Sequence, residues 1–386
     1  MKTVYLDNNA TTAVSPDVFD AMRPYYLEHY GNPSSPHHLG DRPASALRDA
    51  RTRVAEFLGC TDVEVVFTSC GTESDNLAIR GITEAAKDKR HVVTTAVEHS
   101  AVLNPVKRLA STGYEVTVLG VDRAGRLDLE ALRTSLRDDT ALVSVMFANN
   151  ETGVLFPINA IAEIVHARGI PLHVDAVQAV GKVPIDLHHL GADMIAISAH
   201  KFHGPKGVGA LVLRKGTKWA PVFLGGSQER SRRPGTENVA GIVAMGAACA
   251  LAQTHVAHYQ TEVRRLRDLL EHELLARIPD AFVNGIECDR LPNTSNMGFR
   301  GVDGNAMLVL LDEVGICVSA GSACKSGAGL PSHVLAAMGL TADEAACCLR
   351  FSLSELTTED EIRYCIEHIP AIVERMRRSS PQAARS

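Results

Sequence analysis

The chain has no excess of positive charge, no C-x-x-C pair, no internal repeat, no low-complexity stretch and no apolar run of membrane-spanning length. Each absence removes a class of function. Its 39 Lys and Arg against 45 Asp and Glu give a formal net charge of -6. That leaves no basic footprint for nucleic acid or an anionic membrane surface. Residues 1–7 lack the pattern of a signal peptide, so a cytoplasmic protein is expected. Nine cysteines, an odd number without paired spacing, argue against a disulfide framework; most are expected to be buried free thiols. His37–His38 and His188–His189 lack zinc-ligand spacing, so no metal site is expected.

What remains is the composition of an ordinary soluble globular protein, 45% hydrophobic and 22% charged. At 386 residues it is too long for one small core. Short apolar runs recur at 64–67, 91–95, 115–119, 141–147, 170–174, 194–197 and 208–213. Helical periods lie between several of them, at 74–86, 102–111, 129–136 and 160–167. Alternation of this kind predicts an α/β domain around a mostly parallel sheet. The run at 208–213 follows its predecessor too closely for a helical crossover, so it should be antiparallel. Upstream, Ser15 and Pro16 open a helix expected to reach Tyr30, and 42–58 reads as a second. Downstream, 238–252 and 258–278 read as separate helices, followed by elements at 293–299, 307–314 and 349–353. The expected division is a large domain over 15–256, with 1–14 and 257–386 forming a smaller α+β domain.

Several polar residues are poorly explained by packing. Lys201 ends a buried run in Ser198-Ala-His200-Lys-Phe-His-Gly-Pro-Lys. Lysine is seldom buried without a reason, and a desolvated amine with a lowered pKa can form a Schiff base. Gly71 and Thr72 stand where a strand yields to a helix, a ready phosphate site. Asp175 lies just past a strand's carboxyl end, where ligands of open sheets bind, and Gln178 follows three residues later. His99 and Asn150 follow other strands on the same edge. Arg350, between two apolar runs, suits bidentate binding of a carboxylate. Cys324 sits in a Gly-, Ser- and Ala-rich stretch, about 318–331, and reads as an exposed nucleophile on a loop. Cys347 and Cys348 are adjacent, and on a strand they would point opposite ways.

Taken together, the chain resembles the class I cysteine desulfurases, most closely the NifS branch. The resemblance runs from Tyr5 to about Pro381. Its motifs are Tyr-Leu-Asp-Asn-Asn-Ala-Thr-Thr (5–12), Gly-Asn-Pro-Ser-Ser (31–35), Phe-Thr-Ser-Cys-Gly-Thr-Glu-Ser-Asp (67–75) and Ala-Asn-Asn-Glu-Thr-Gly (148–153). They continue through 175–186, the Lys201 stretch, Arg-Pro-Gly-Thr-Glu-Asn (233–238), Gly-Ser-Ala-Cys (321–324) and Arg-Phe-Ser-Leu (350–353). The resemblance implies fold type I of the pyridoxal-phosphate enzymes, with a seven-stranded sheet, a homodimer, and pyridoxal 5'-phosphate (PLP) on Lys201. It places Gly71, Thr72, Ser198 and His200 around the phosphate, with Thr236 joining from the other subunit. Asp175 would face the ring nitrogen, Gln178 the ring oxygen, and His99 the ring face. Asn150 and Arg350 would hold the carboxylate of L-cysteine. The implied products are alanine and a persulfide on Cys324, passed to an iron–sulfur scaffold protein, the nitrogenase scaffold among the candidates.

Three departures stand out. Lys325 replaces the usual threonine, 328–333 lacks the usual Leu-Glu-Pro, and Ala345-Ala-Cys347-Cys348 replaces Ala-His-Gly-Thr. Another enzyme of the same fold, such as a selenocysteine lyase or an aminotransferase, is the alternative, as is a cofactor-free sulfur-binding protein.

Overall fold

The computed structural model describes residues 3–320 and 332–379. Its centre is a seven-stranded sheet. The strands are β2 (Val65–Thr68), β3 (His91–Thr95), β4 (Glu115–Leu119), β5 (Thr140–Met146), β6 (Leu172–Asp175), β7 (Met194–Ser198) and β8 (Gly209–Leu213). Their order is β2-β8-β7-β6-β5-β3-β4, parallel throughout except β8, which runs antiparallel to both neighbours. β3, β5 and β7 are buried along their whole length. Layers on both faces cover such strands, so they read as continuous apolar runs. Parallel packing also brings the carboxyl ends of β2, β3, β5, β6 and β7 to one edge, with one segment after each turning away from the sheet.

Gly209 makes the β8 return possible. A Cβ there would lie 2.7 Å from the Ile197 carbonyl oxygen and 2.8 Å from the Cys70 backbone. The strand thus sits directly beneath the start of the helix Gly71–Ala85.

The other elements differ from the sequence reading in instructive places. The helix expected from Ser15 to Tyr30 is two, Pro16–Met22 and Pro24–Leu27. Pro24 has no N–H to continue the first and instead opens the second. The helix expected from Arg42 begins earlier, at His38, and carries Pro43 inside it. The helices expected at 238–252 and 258–278 form one rod from Val239 to Arg277, interrupted only by a π turn at Tyr259–Val263. By length and composition this rod could cross a membrane, yet half of its most apolar window is buried within the fold.

Two hydrophobic clusters meet along that rod. Met245, Ala248, Cys249 and Ala252 belong to the sheet's cluster. From the end of the π turn onward, Val263, Leu266, Leu270 and Leu274 belong to a second, with Met297, Phe299, Leu349 and Phe351. The second cluster includes Val4 and Leu6, because β1 (Val4–Tyr5) pairs in parallel with β11 (Ile316–Cys317). A three-stranded sheet accompanies it, with β10 (Thr294–Phe299) between β9 (Ala281–Val283) and β12 (Cys348–Ser352). Leu291, Val334, Leu335 and Cys348 nevertheless pack with the sheet's cluster, so the two cores interlock. Of the eight cysteines in the described residues, all free, four are buried and four partly so.

Gly209→Ala is expected to lower stability by about 1–3 kcal/mol, the usual cost of forcing an added methyl into a packed site. Thermal unfolding followed by circular dichroism measures it.

Candidate active site

The carboxyl edge of the sheet opens into a cavity of about 280 Å³. The ends of β2, β3, β5, β6 and β7 each supply part of its wall. Gly71 and Thr72 follow β2, His99 follows β3, Asn150 follows β5, Gln178 follows Asp175 at the end of β6, and Ser198, His200 and Lys201 follow β7. Arg350 enters from β12. Ten of the twelve residues singled out in the sequence therefore meet in one place. Thr236 does not; it lies in a separate recess with Ser69, Glu229 and Arg233. Cys324 lies outside the described residues.

Lys201 closes a one-turn 3-10 helix, Ala199–Lys201, after β7. Its Nζ donates to the backbone carbonyls of Asn9 at 2.6 Å and Ala10 at 2.7 Å. The polar turn at the N-terminus is thus part of the site, which no local pattern announced. Thr12 secures it from the other side, donating through its backbone N–H to the His200 carbonyl at 2.9 Å.

An anion fits at the helix Gly71–Ala85. Its N-cap, Cys70, is extended and supplies no side-chain cap, so the first N–H groups and the helix dipole are available to a ligand. Gly71 is needed because a Cβ would lie 2.7 Å from Val177 Cγ2. Ser198 Oγ is buried there without a hydrogen-bond partner. Burial and the nearby Lys201, Lys206 and Lys182 push the His200 imidazole down to about 4.

At the cavity's other end, Asp175 accepts from the Val177 N–H through Oδ1 at 2.9 Å. Burial raises its pKa, while His99 and Lys201 oppose the rise. Such a carboxylate is stabilised by a cationic N–H, as a protonated pyridine nitrogen would provide. His99 caps the helix Ser100–Ala110, Nδ1 accepting from the Ala101 N–H at 3.2 Å. Burial lowers its pKa, and the neutral ring therefore carries its proton on Nε2.

Arg350 is 2% exposed. It donates to Asp7 Oδ1 at 2.6 Å and to the Asn150 carbonyl at 3.0 Å, while Nε is buried without a partner. An orphaned guanidinium N–H at a cavity wall is suited to a carboxylate. Asp7 and Asn9 were not singled out as site residues. Asp75, another cavity residue, was also missed; burial and the neighbouring Asp175 raise its pKa well above the carboxylate range. Cys347 and Cys348 do not diverge as expected. Both thiols donate to the Glu344 carbonyl, at 3.2 and 3.0 Å, because Cys347 ends a helical turn before the strand begins.

A helix N-terminus open to an anion, a buried carboxyl, an amine and an arginine with an open N–H meet in one cavity. The aminotransferase class-V family model matches residues 4–365, and the chain belongs to that family. A cysteine desulfurase of a Nostoc species is 53% identical over 381 residues, covering 99% of this chain and 95% of that protein. The cysteine desulfurase NifS of Azotobacter vinelandii is 51% identical over 382 residues, with 99% and 95% covered. The solved structure of a NifS-like protein superposes with a TM-score of 0.91 at 39% identity, covering 97% of this chain and all of that one. Within the family, this chain is a cysteine desulfurase, a PLP enzyme, and the residues described above fit that cofactor.

Glu98 lies behind His99. Its Oε1 accepts from Thr95 Oγ1 at 2.6 Å and the Met146 N–H at 2.9 Å, and Oε2 has no partner. Burial pushes its carboxyl up to about 8 against the pull of these two bonds, and Asp175 adds to the rise. A proton bound in the folded state and lost in the unfolded one stabilises the fold below pH 8 and ceases to do so above it. Stability should therefore fall between pH 5 and pH 8.5, by a few kcal/mol at most. Glu98→Gln should flatten that slope, as melting temperatures across the pH range would show.

Proposed function

We propose that Lys201 holds PLP and that the cavity converts L-cysteine to L-alanine, with the sulfur passing to Cys324 as a persulfide. The observation that carries this reading is the convergence of Lys201, Asp175, His99 and Arg350 on one cavity. When bound, PLP supplies an electron sink for charge developing on the substrate carbons. Gly71, Thr72, Ser198 and His200 hold its phosphate, and Thr236 does so from a second subunit. Asp175 keeps the ring nitrogen protonated, Gln178 faces the ring oxygen and His99 covers the ring.

Asn150 and Arg350 orient the substrate by its carboxylate, leaving Cα toward the Lys201 amine. Freed once the substrate takes its place, that amine removes the Cα proton and later returns one to Cα. The Cys324 thiolate then bonds to the substrate sulfur as the Cβ–S bond breaks. The electron pair of that bond stays with Cβ, which takes up a proton to become the methyl group of alanine. Cys347 and Cys348, turned to the Glu344 carbonyl and absent from the cavity wall, are not the carriers.

The same reading includes a homodimer, a large domain over 15–256, a small one over 1–14 and 257–386, and an iron–sulfur scaffold protein as acceptor. Exposed Tyr26, Leu27 and Tyr30, close together at a helix end, support a covered face. Persulfide chemistry suits a reducing compartment, which supports the cytoplasm.

Cys324→Ala should load PLP and bind cysteine yet release neither alanine nor transferable sulfur. The double variant Cys347→Ser/Cys348→Ser should keep most turnover. Alkylation followed by peptide mass analysis locates the persulfide, and a label on Cys347 or Cys348 without one on Cys324 would overturn the assignment.

Arg350→Ala should retain PLP and weaken cysteine binding by roughly 1.5–3 kcal/mol, the worth of a hydrogen bond to a charged group. Steady-state kinetics would read this as a raised KM.

A further inference from the structure

One buried cation has no place in the roles assigned above. Lys182, four residues past Gln178, is 1% exposed and among the largest fully buried side chains. Its Nζ donates to Gln178 Oε1 at 2.9 Å and to Asn9 Oδ1 at 3.3 Å. Burial, with Lys201 and Arg350 nearby, drives its pKa well below the ordinary amine value. A leucine or methionine would fill such a position at less cost in desolvation, so the two hydrogen bonds are what the amine contributes.

Those bonds decide which way an amide faces. Gln178 Nε2 donates to the Asn9 carbonyl at 2.9 Å, while Oε1 accepts from Lys182. Turned over, the amide would set its oxygen against the Asn9 carbonyl and lose the Lys182 donor. With the amide held as it is, Nε2 keeps a second N–H, and Gln178 lines the cavity. The Asn9 carbonyl also accepts from Lys201. A continuous chain of hydrogen bonds therefore runs from Lys182 through Gln178 and Asn9 to the amine that holds the cofactor.

We propose that Lys182 is a positioning residue of this enzyme: its amine locks the Gln178 amide so that an N–H, and not the carbonyl, faces the cofactor's ring oxygen. Lys182 is therefore required for the electronic state of the cofactor and not for substrate contact. The proposal rests on the assignment of Gln178 to the ring oxygen, and the test separates the two.

The holoenzyme's visible absorption is titrated with pH, and its midpoint is read independently of turnover. An N–H aimed at the ring oxygen opposes protonation where the cofactor joins Lys201, so losing it raises the midpoint. Lys182→Met, close in volume, should raise it by about one pH unit, the scale of one hydrogen bond. Gln178→Ala should raise it similarly, and adding Lys182→Met to Gln178→Ala should change nothing further, because Lys182 acts through that amide. An unmoved midpoint in Lys182→Met beside a moved one in Gln178→Ala overturns the role of Lys182 alone. An unmoved midpoint in Gln178→Ala overturns the Gln178 assignment and the proposal with it. Equal shifts from Lys182→Met with and without Gln178 also overturn it, since they mark a general effect of charge or packing. Should Lys182→Met fail to fold, Lys182→Gln enters the same cycle. Its shift should vanish in the Gln178→Ala background, and a shift that persists there overturns the proposal.

Discussion

The contact between the Lys201 ammonium and the carbonyls of Asn9 and Ala10 holds the two cores in register. Lys201 is fixed to the large sheet through β7. Asn9 belongs to the N-terminal segment, whose strand β1 pairs with β11 and whose Asp7 binds Arg350. A single amine is thus gripped by the segment that also holds Arg350, through Asp7.

The cavity concentrates buried charge that a core would otherwise exclude. Asp75, Asp175, His99, Lys201 and Arg350 line the cavity, with Glu98 next to His99 and Lys182 bonded to Gln178. Burial drives the carboxyls up and His99 and Lys182 down. Desolvation of this size is unfavourable unless partners offset it. Here some partners are backbone groups and others are left open, such as Arg350 Nε and Ser198 Oγ. Open polar atoms at a cavity wall destabilise the fold locally and favour a ligand that completes them.

The rod Val239–Arg277 joins the two cores. Its first half packs in the sheet's cluster and its second in the other. The π turn at Tyr259–Val263 shifts the buried face between them. A single extra residue in a helical turn rotates the next turns about the axis, so one helix can serve two cores whose apolar faces are not aligned.

Much of this was legible in the residues. The strands at 91–95 and 115–119 stand where their apolar runs lie, the first buried along its whole length and the second at the sheet's edge. The antiparallel β8 followed from its short connection, and Lys201, Asp175 and His99 from polar residues placed just after apolar runs. Those are local properties: strand period, loop length and what burial does to a charge. The break at Pro24 was a local signal too, passed over in the reading; the start at His38 and the π turn were not local, since they answer to what each helix packs against. Nor could any pattern show that Asn9 lies against Lys201, 192 residues away. Lys182 was visible only as one lysine within the 175–186 motif. Its bonds to Gln178 and Asn9 exist because parallel strands bring distant turns to one edge, and that convergence belongs to the tertiary structure alone. Sequence by itself singled out ten of the residues that line the cavity; the fold decided which of them touch, because contact across the sheet edge depends on strand order.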